Sequence, residues 1–235
     1  MKTSNKLLIA IGVLIVISMV SFDMALRAEY LKGDYKSPYY NMVSIPVKDF
    51  DAIEDCTSYD TFTEINTGAY ADSTGNKQQI WISKEGQKDV AFAVKDRVLR
   101  ISFKTPNSEQ NRAYSIHIKC PRLNRITRGP TPGDKIMYES GNLTISVIKQ
   151  DSIRIENKVW GIINLTPVYM KKVNVVMNQG SLNIGGNGDA EVVNFDIRNN
   201  SRVDIGNIKM GKVNYKLADS AHITLPGAAW NKISR

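Results

Sequence analysis

Apolar and polar residues alternate along most of this chain, and towards its carboxyl end the alternation itself recurs every 20 positions. Val173, Val175 and Met177 are followed by Val193, Phe195 and Ile197, then by Val213, Tyr215 and Leu217. An asparagine holds the same place in each set: Asn174, Asn194 and Asn214. Ile153-Arg154-Ile155 lies 20 positions before the first set. A second series has steps of 39, 21 and 20 between its leading apolar residues, Leu143, Leu182, Val203 and Ile223. The wide step has room for one more unit near Ile162, Ile163 and Leu165. Alternation sends successive side chains to opposite faces of a strand. A fixed longer period means that such strands stack into coils. The pattern predicts an all-β fold: a single-stranded β-helix, a solenoid of about 20 residues per coil.

Stacking places Val175, Phe195 and Tyr215 in one buried column and Asn174, Asn194 and Asn214 in an outward column, whose amides can form a ladder. Asp196 and Lys216 become neighbours on adjacent coils, an exposed pair of opposite charge. A short third strand per coil is expected at Ile208-Lys209-Met210. Residues 127–235 are read as the regular coils. Residues 46–126 also read as strands, with longer loops. Val90, Phe92 and Val94 alternate, as do Leu99, Ile101 and Phe103, and Lys95-Asp96-Arg97 between them reads as a hairpin turn. Tyr114, Ile116, Ile118 and Cys120 alternate in the same way. Solenoid ends need atypical covering units, so 46–126 is read as irregular first coils and cap. Pro226, Trp230 and Ile233 are expected to cover the last coil.

The amino end changes the setting. Residues 7–22 carry no charge, and Lys2 and Lys6 precede them. The apolar stretch continues to Leu26, long enough to span a bilayer as a helix. A cleaved signal peptide has the same basic start but a shorter core, and no small-x-small site follows this one. The expectation is a retained transmembrane anchor over 1–26, a tyrosine-rich spacer over 27–45 (Tyr30, Tyr35, Tyr39, Tyr40) and the β-helix over 46–235. The amino-terminal lysines favour the cytoplasm. That makes a single-pass bacterial membrane protein with its carboxyl-terminal domain in the periplasm or outside the cell.

The net charge of +8 then acquires meaning. Removing Lys2, Lys6 and Asp23 from the 31 basic and 23 acidic residues leaves 29 against 22 outside the anchor. Nucleic acid is excluded as a partner by export. A polysaccharide, lipopolysaccharide or protein partner fits a modest positive surplus, and open β-edges allow a homo-oligomer. Cys56 and Cys120 are either a single disulfide or two thiols.

Enzymatic signatures are absent. No nucleophile elbow, phosphate loop or zinc-protease motif occurs. His117 and His222 are far apart and lack companions at metal-ligand spacing, so no metal, cofactor or catalytic residue is assigned. The glycine-rich Gly185-Gly186-Asn187-Gly188-Asp189 reads as a tight corner. The alternative is a polysaccharide-active enzyme that uses Asp189, Glu191, Asp196 and Asp204 with Arg198 and Arg202 on an outer face. The third reading is an assembly subunit. The candidate binding residues are Asn174, Asn194, Asn214, Asp196, Lys216, Arg202 and Asp204.

Four segments resemble the GIN domain family, an adhesin-head module of exported Bacteroidetes proteins: Phe50-Asp51-Ala52-Ile53, Cys120-Pro121-Arg122-Leu123, Gly141-Asn142-Leu143-Thr144-Ile145 and Gly180-Ser181-Leu182-Asn183-Ile184. The resemblance covers roughly 46–235, and the repeated Gly-Ser-Gly turn of the family is missing. It implies a right-handed β-helix exposed outside the cytoplasm with an adhesin-like, non-catalytic role. It supplies no catalytic residues.

Overall fold

The computed structural model describes residues 3–33, 37, 39–57, 61–67, 78–104, 114–130, 141–147, 149–167 and 169–226. Two compact units divide the chain, Met1–Asn41 and Met42–Arg235.

The first unit holds α1, Thr3–Lys32. Within it Asn5–Leu31 has a mean hydropathy of 2.5, and its apolar side chains lie exposed on every side. At about 1.5 Å per residue this stretch reaches roughly 40 Å, more than a bilayer's hydrocarbon core needs. The helix outruns residue 26 because Ala28, Glu29 and Leu31 are good helix formers. It ends where Gly33, at φ +71°, turns its amide back to the carbonyl of Tyr30. Tyr35, Lys36 and Pro38 of the expected spacer lie outside the described residues.

The second unit is mostly β. In chain order its strands are β1 Met42–Ile45, β2 Ala52–Cys56, β3 Thr61–Thr67, β4 Gln79–Ser83, β5 Val90–Lys95, β6 Val98–Phe103, β7 Tyr114–Cys120, β8 Arg125–Arg128 and β9 Leu143–Val147. They continue as β10 Gln150–Asn157, β11 Ile162–Pro167, β12 Tyr169–Met177, β13 Ser181–Ile184, β14 Asp189–Ile197, β15 Arg202–Ile205, β16 Lys209–Leu217 and β17 His222–Thr224. They form two mixed sheets. The first, of nine strands, runs β1-β4-β7-β3-β9-β11-β13-β15-β17. The second, of eight, runs β16-β14-β12-β10-β8-β2-β6-β5. Neither closes into a barrel.

From β9 onward successive strands alternate between the sheets, and each pairs in parallel with the strand two places later. The 20-residue period is this pairing: Val173, Val193 and Val213 are in register, as are Asn174, Asn194 and Asn214. One buried cluster draws side chains from both sheets, including Ile163, Leu182 and Val203 from the first and Val175, Phe195 and Val213 from the second. The unit expected near Ile162 is β11.

Three expectations change. The third strand at Ile208-Lys209-Met210 is not separate: Ile208 precedes the nine-residue β16, and Lys209 and Met210 are its start. Pairing lapses only at Lys171, Glu191 and Gly211, then resumes at Lys172, Val192 and Lys212. At that break the backbones approach closely, because a Cβ on Gly211 would sit 2.4 Å from the carbonyl oxygen of Glu191. Tyr215 is 44 % exposed rather than buried. It lies on the edge strand, so Phe195 covers one side of it and no further strand covers the other. Finally, the amino-terminal strands are not stacked in chain order. β2 and β3 lie inside the sheets, between β8 and β6 and between β9 and β7. The outer positions belong to β1, β4 and β5, all paired antiparallel. The β5–β6 hairpin turns at Asp96 and Arg97, both at positive φ, as a two-residue hairpin turn requires. Pro226 ends the described chain; Trp230 and Ile233 lie outside the described residues.

Candidate binding face

Alternation along β10, β12, β14 and β16 sends one set of side chains out from the second sheet, and parallel pairing lines that set up in rows. The first row is Arg154, Asn174, Asn194 and Asn214. The next is Glu156, Val176, Asp196 and Lys216. Asn178 and Arg198 continue the register one step beyond Met177 and Ile197.

The asparagines form the ladder expected of them. The amide nitrogen of Asn194 donates to the side-chain oxygen of Asn174 at 2.8 Å, and that of Asn214 donates to Asn194 at 2.7 Å. All three are half-buried, so each bond is partly shielded from competing water. A shorter ladder occupies the first sheet, where Asn183 donates to Asn164 at 2.9 Å.

Charges flank the ladder in pairs along single strands. Arg198 grips Asp196 through two nitrogens, one of them Nε at 2.9 Å. This bond holds the Asp196 carboxyl below the usual carboxylate range, with partial burial opposing it. Glu156 lies 3.3 Å from Lys158 and 3.9 Å from Arg154. The predicted Asp196–Lys216 pair is in register, but the carboxylate turns instead to Arg198, whose planar fork offers two bonds. Around Val176 these side chains enclose a shallow depression of ≈ 390 Å³.

The structure thus gathers Asn174, Asn194, Asn214, Asp196 and Lys216 on one face. Arg202 and Asp204 stand on β15 in the other sheet, joined to each other at 2.6 Å. Arg154, Glu156, Val176 and Asn178 were missed as site residues. The same 20-residue spacing points to them once it is read along the outward rows instead of the buried ones.

The carboxylates of the enzymatic alternative are dispersed. Asp189 and Glu191 lie at the start of β14, where Tyr169 donates its hydroxyl to Glu191. Asp204 is on the other sheet, its carboxyl held low by Arg202. His117, on β7, pairs with Glu64 at 3.0 Å, while His222 is exposed on β17. Among the described residues no group of three or more His, Cys, Asp or Glu is placed to hold a metal. Cys56 and Cys120 are both buried, and no disulfide joins them in this structure. They end strands of different sheets. Burial pushes the Cys56 thiol up to about 11 and the Cys120 thiol up to about 12.

Two mixed sheets with a ladder of outward asparagines define a mostly β module. The chain belongs to the family described as "Putative auto-transporter adhesin, head GIN domain", whose sequence model matches residues 61–228. No curated protein matches it in sequence. Among solved structures, a "putative adhesin" from Bacteroides fragilis is 18 % identical with a TM-score of 0.43, over 77 % of this chain and 94 % of that one. A "putative adhesin" from Parabacteroides distasonis is 16 % identical with a TM-score of 0.41, over 77 % and 80 %. A "putative cell adhesion protein" from Clostridium sporogenes is 10 % identical with a TM-score of 0.31, over 77 % and 96 %.

Proposed function

We propose that this chain is a membrane-anchored, adhesin-like module of the bacterial envelope that binds its ligand without catalysis on the outer face of β10, β12 and β14. The observation that carries the reading is the depression around Val176, built on a rigid parallel sheet and lined by side chains that hydrogen bonds and ion pairs hold in place. Such a lining is a pre-organised recognition surface. General acid catalysis needs a carboxyl that keeps its proton near neutral pH, whereas Arg198 holds Asp196 ionised.

The second unit is a right-handed β-helix in this reading. Regular parallel pairing from β9 to β17 with alternation between two sheets supports a solenoid, and parallel strands joined by crossovers are right-handed in nearly all proteins. Helix α1 spans the inner membrane once, with Lys2 and Lys6 in the cytoplasm and residues 46–235 in the periplasm or beyond. Three lysines on the edge strand, Lys209, Lys212 and Lys216, weigh against the assembly-subunit reading, since charged edges oppose strand pairing between copies.

The test is capture. The full chain, held in detergent on beads, is exposed to bacterial polysaccharide, lipopolysaccharide and envelope proteins at physiological salt. Retention of one of these, lost in Asn194→Tyr, is the expected result. Equal retention by both proteins overturns this face as the site. Protease added to spheroplasts should cleave the second unit; full protection overturns the topology.

A further inference from the structure

We infer that the depression around Val176 is a subsite for an uncharged pyranose unit of a glycan, an inference that rests on the binding face proposed above. Val176 is the apolar centre of the floor. Glu156 and Asp196 flank it on the neighbouring strands, and Asn174 and Asn178 flank it along its own strand. A small apolar spot surrounded by hydrogen-bonding groups on four sides suits a sugar ring, whose C–H face packs on the floor while its hydroxyls reach outward.

The spacing agrees. Two interstrand steps separate Glu156 from Asp196, about 9.6 Å in backbone terms. A hydroxyl donating at about 2.7 Å to each carboxylate leaves roughly 4 Å between the two oxygens, more than separates neighbouring hydroxyls of one ring and about 1 Å short of those on alternate carbons, a gap that rotation of the two carboxylate side chains takes up. Hydrogen bonds from hydroxyl to carboxylate are charge-assisted and strong.

The cations paired with Glu156 and Asp196 decide which sugars fit. Arg198 is engaged by Asp196, and Lys158 and Arg154 lie against Glu156. An acidic sugar would have to break an existing ion pair and then lie between two carboxylates. An acyl chain finds only Val176 as apolar floor. An extended peptide cannot pair with the backbone here, because the depression opens on the face of the sheet and not on an edge.

The experiment is saturation-transfer NMR on the full chain in a detergent without a sugar headgroup. The probes are cellobiose, mannobiose and laminaribiose, with digalacturonate as the acidic counterpart, at low and high salt. The expected result is a saturable signal from at least one neutral disaccharide, unaffected by salt because no net charge is exchanged. Val176→Arg removes that signal, and Val176→Thr keeps it. Replacing Glu156→Gln and Asp196→Asn together weakens binding by more than about tenfold, because two charge-assisted bonds become neutral ones. Binding of digalacturonate alone, abolished by Val176→Arg, overturns the neutral-sugar inference while the binding face stands. Silence from every sugar also overturns it, and the capture experiment then reports separately on the face. A sugar signal unchanged in Val176→Arg overturns both.

Discussion

Arg128 and Asp55 meet inside the protein, with Nε and Oδ2 3.5 Å apart and each side chain 1 % exposed. They are register partners on β8 and β2. Thr57 donates its amide and hydroxyl to the other carboxylate oxygen, Oδ1, at 3.1 and 2.6 Å. Arg128 donates onward to the carbonyls of Ile162 and Gly141, at β11 and just before β9. One guanidinium therefore ties the second sheet to the first where β2 enters out of chain order. Burial pushes the Arg128 guanidinium down, and the Asp55 carboxylate opposes the shift. Removing one partner strands a buried charge, which costs about 3–5 kcal/mol. Arg128→Met should therefore lower unfolding stability by that order, and Asp55→Val with Arg128→Met should cost much less than the two single losses added. Denaturant titration of the four proteins reads the coupling directly. Strict additivity would show that the pair contributes nothing as a pair.

The asparagine ladder makes its middle member special. Asn194 both donates and accepts, whereas within the ladder Asn214 only donates. Each net bond is worth about 1 kcal/mol. Asn194→Ala should cost about 2 kcal/mol and Asn214→Ala about half of that, in the same denaturation measurement. Equal losses would mean that the amides act separately.

Phe195 and Tyr215 share a column but not an environment. Phe195 is 3 % exposed and Tyr215 44 %. Phe195→Ala should cost about 3–5 kcal/mol through the cavity it leaves, and Tyr215→Ala under about 1.5 kcal/mol. Phe195→Asp should prevent folding, because it buries an unpaired charge. The thermal midpoint of Tyr215→Ala against wild type, with circular dichroism for the aspartate variant, checks the ranking.

The thiols provide a chemical probe of the same core. With Cys56 and Cys120 pushed up to about 11 and about 12, almost no thiolate exists near pH 8. Native protein should react slowly with an aromatic disulfide reagent, and unfolding in urea should release two thiols promptly. Prompt labelling of the folded protein would contradict the burial of both side chains, and failure to label after unfolding would indicate a disulfide.

The sequence by itself determined most strands, their faces and, from β9 onward, their neighbours, because alternation and the 20-residue period are local signals that parallel pairing copies from one strand to the next. The asparagine column and the Asp96-Arg97 turn were legible for that reason, and so was the apolar helix. The tertiary structure decided what depends on placement. The insertion of β2 and β3 between later strands leaves no periodic trace, since any strand with the right alternation can fill an inner position. The meeting of Arg128 with Asp55 follows from that insertion, across 73 positions of chain. The exposure of Tyr215 follows from being last, which a repeat cannot express. The separation of Arg202 and Asp204 from the asparagine face follows from successive strands alternating between two sheets, so residues close in sequence stand on different surfaces.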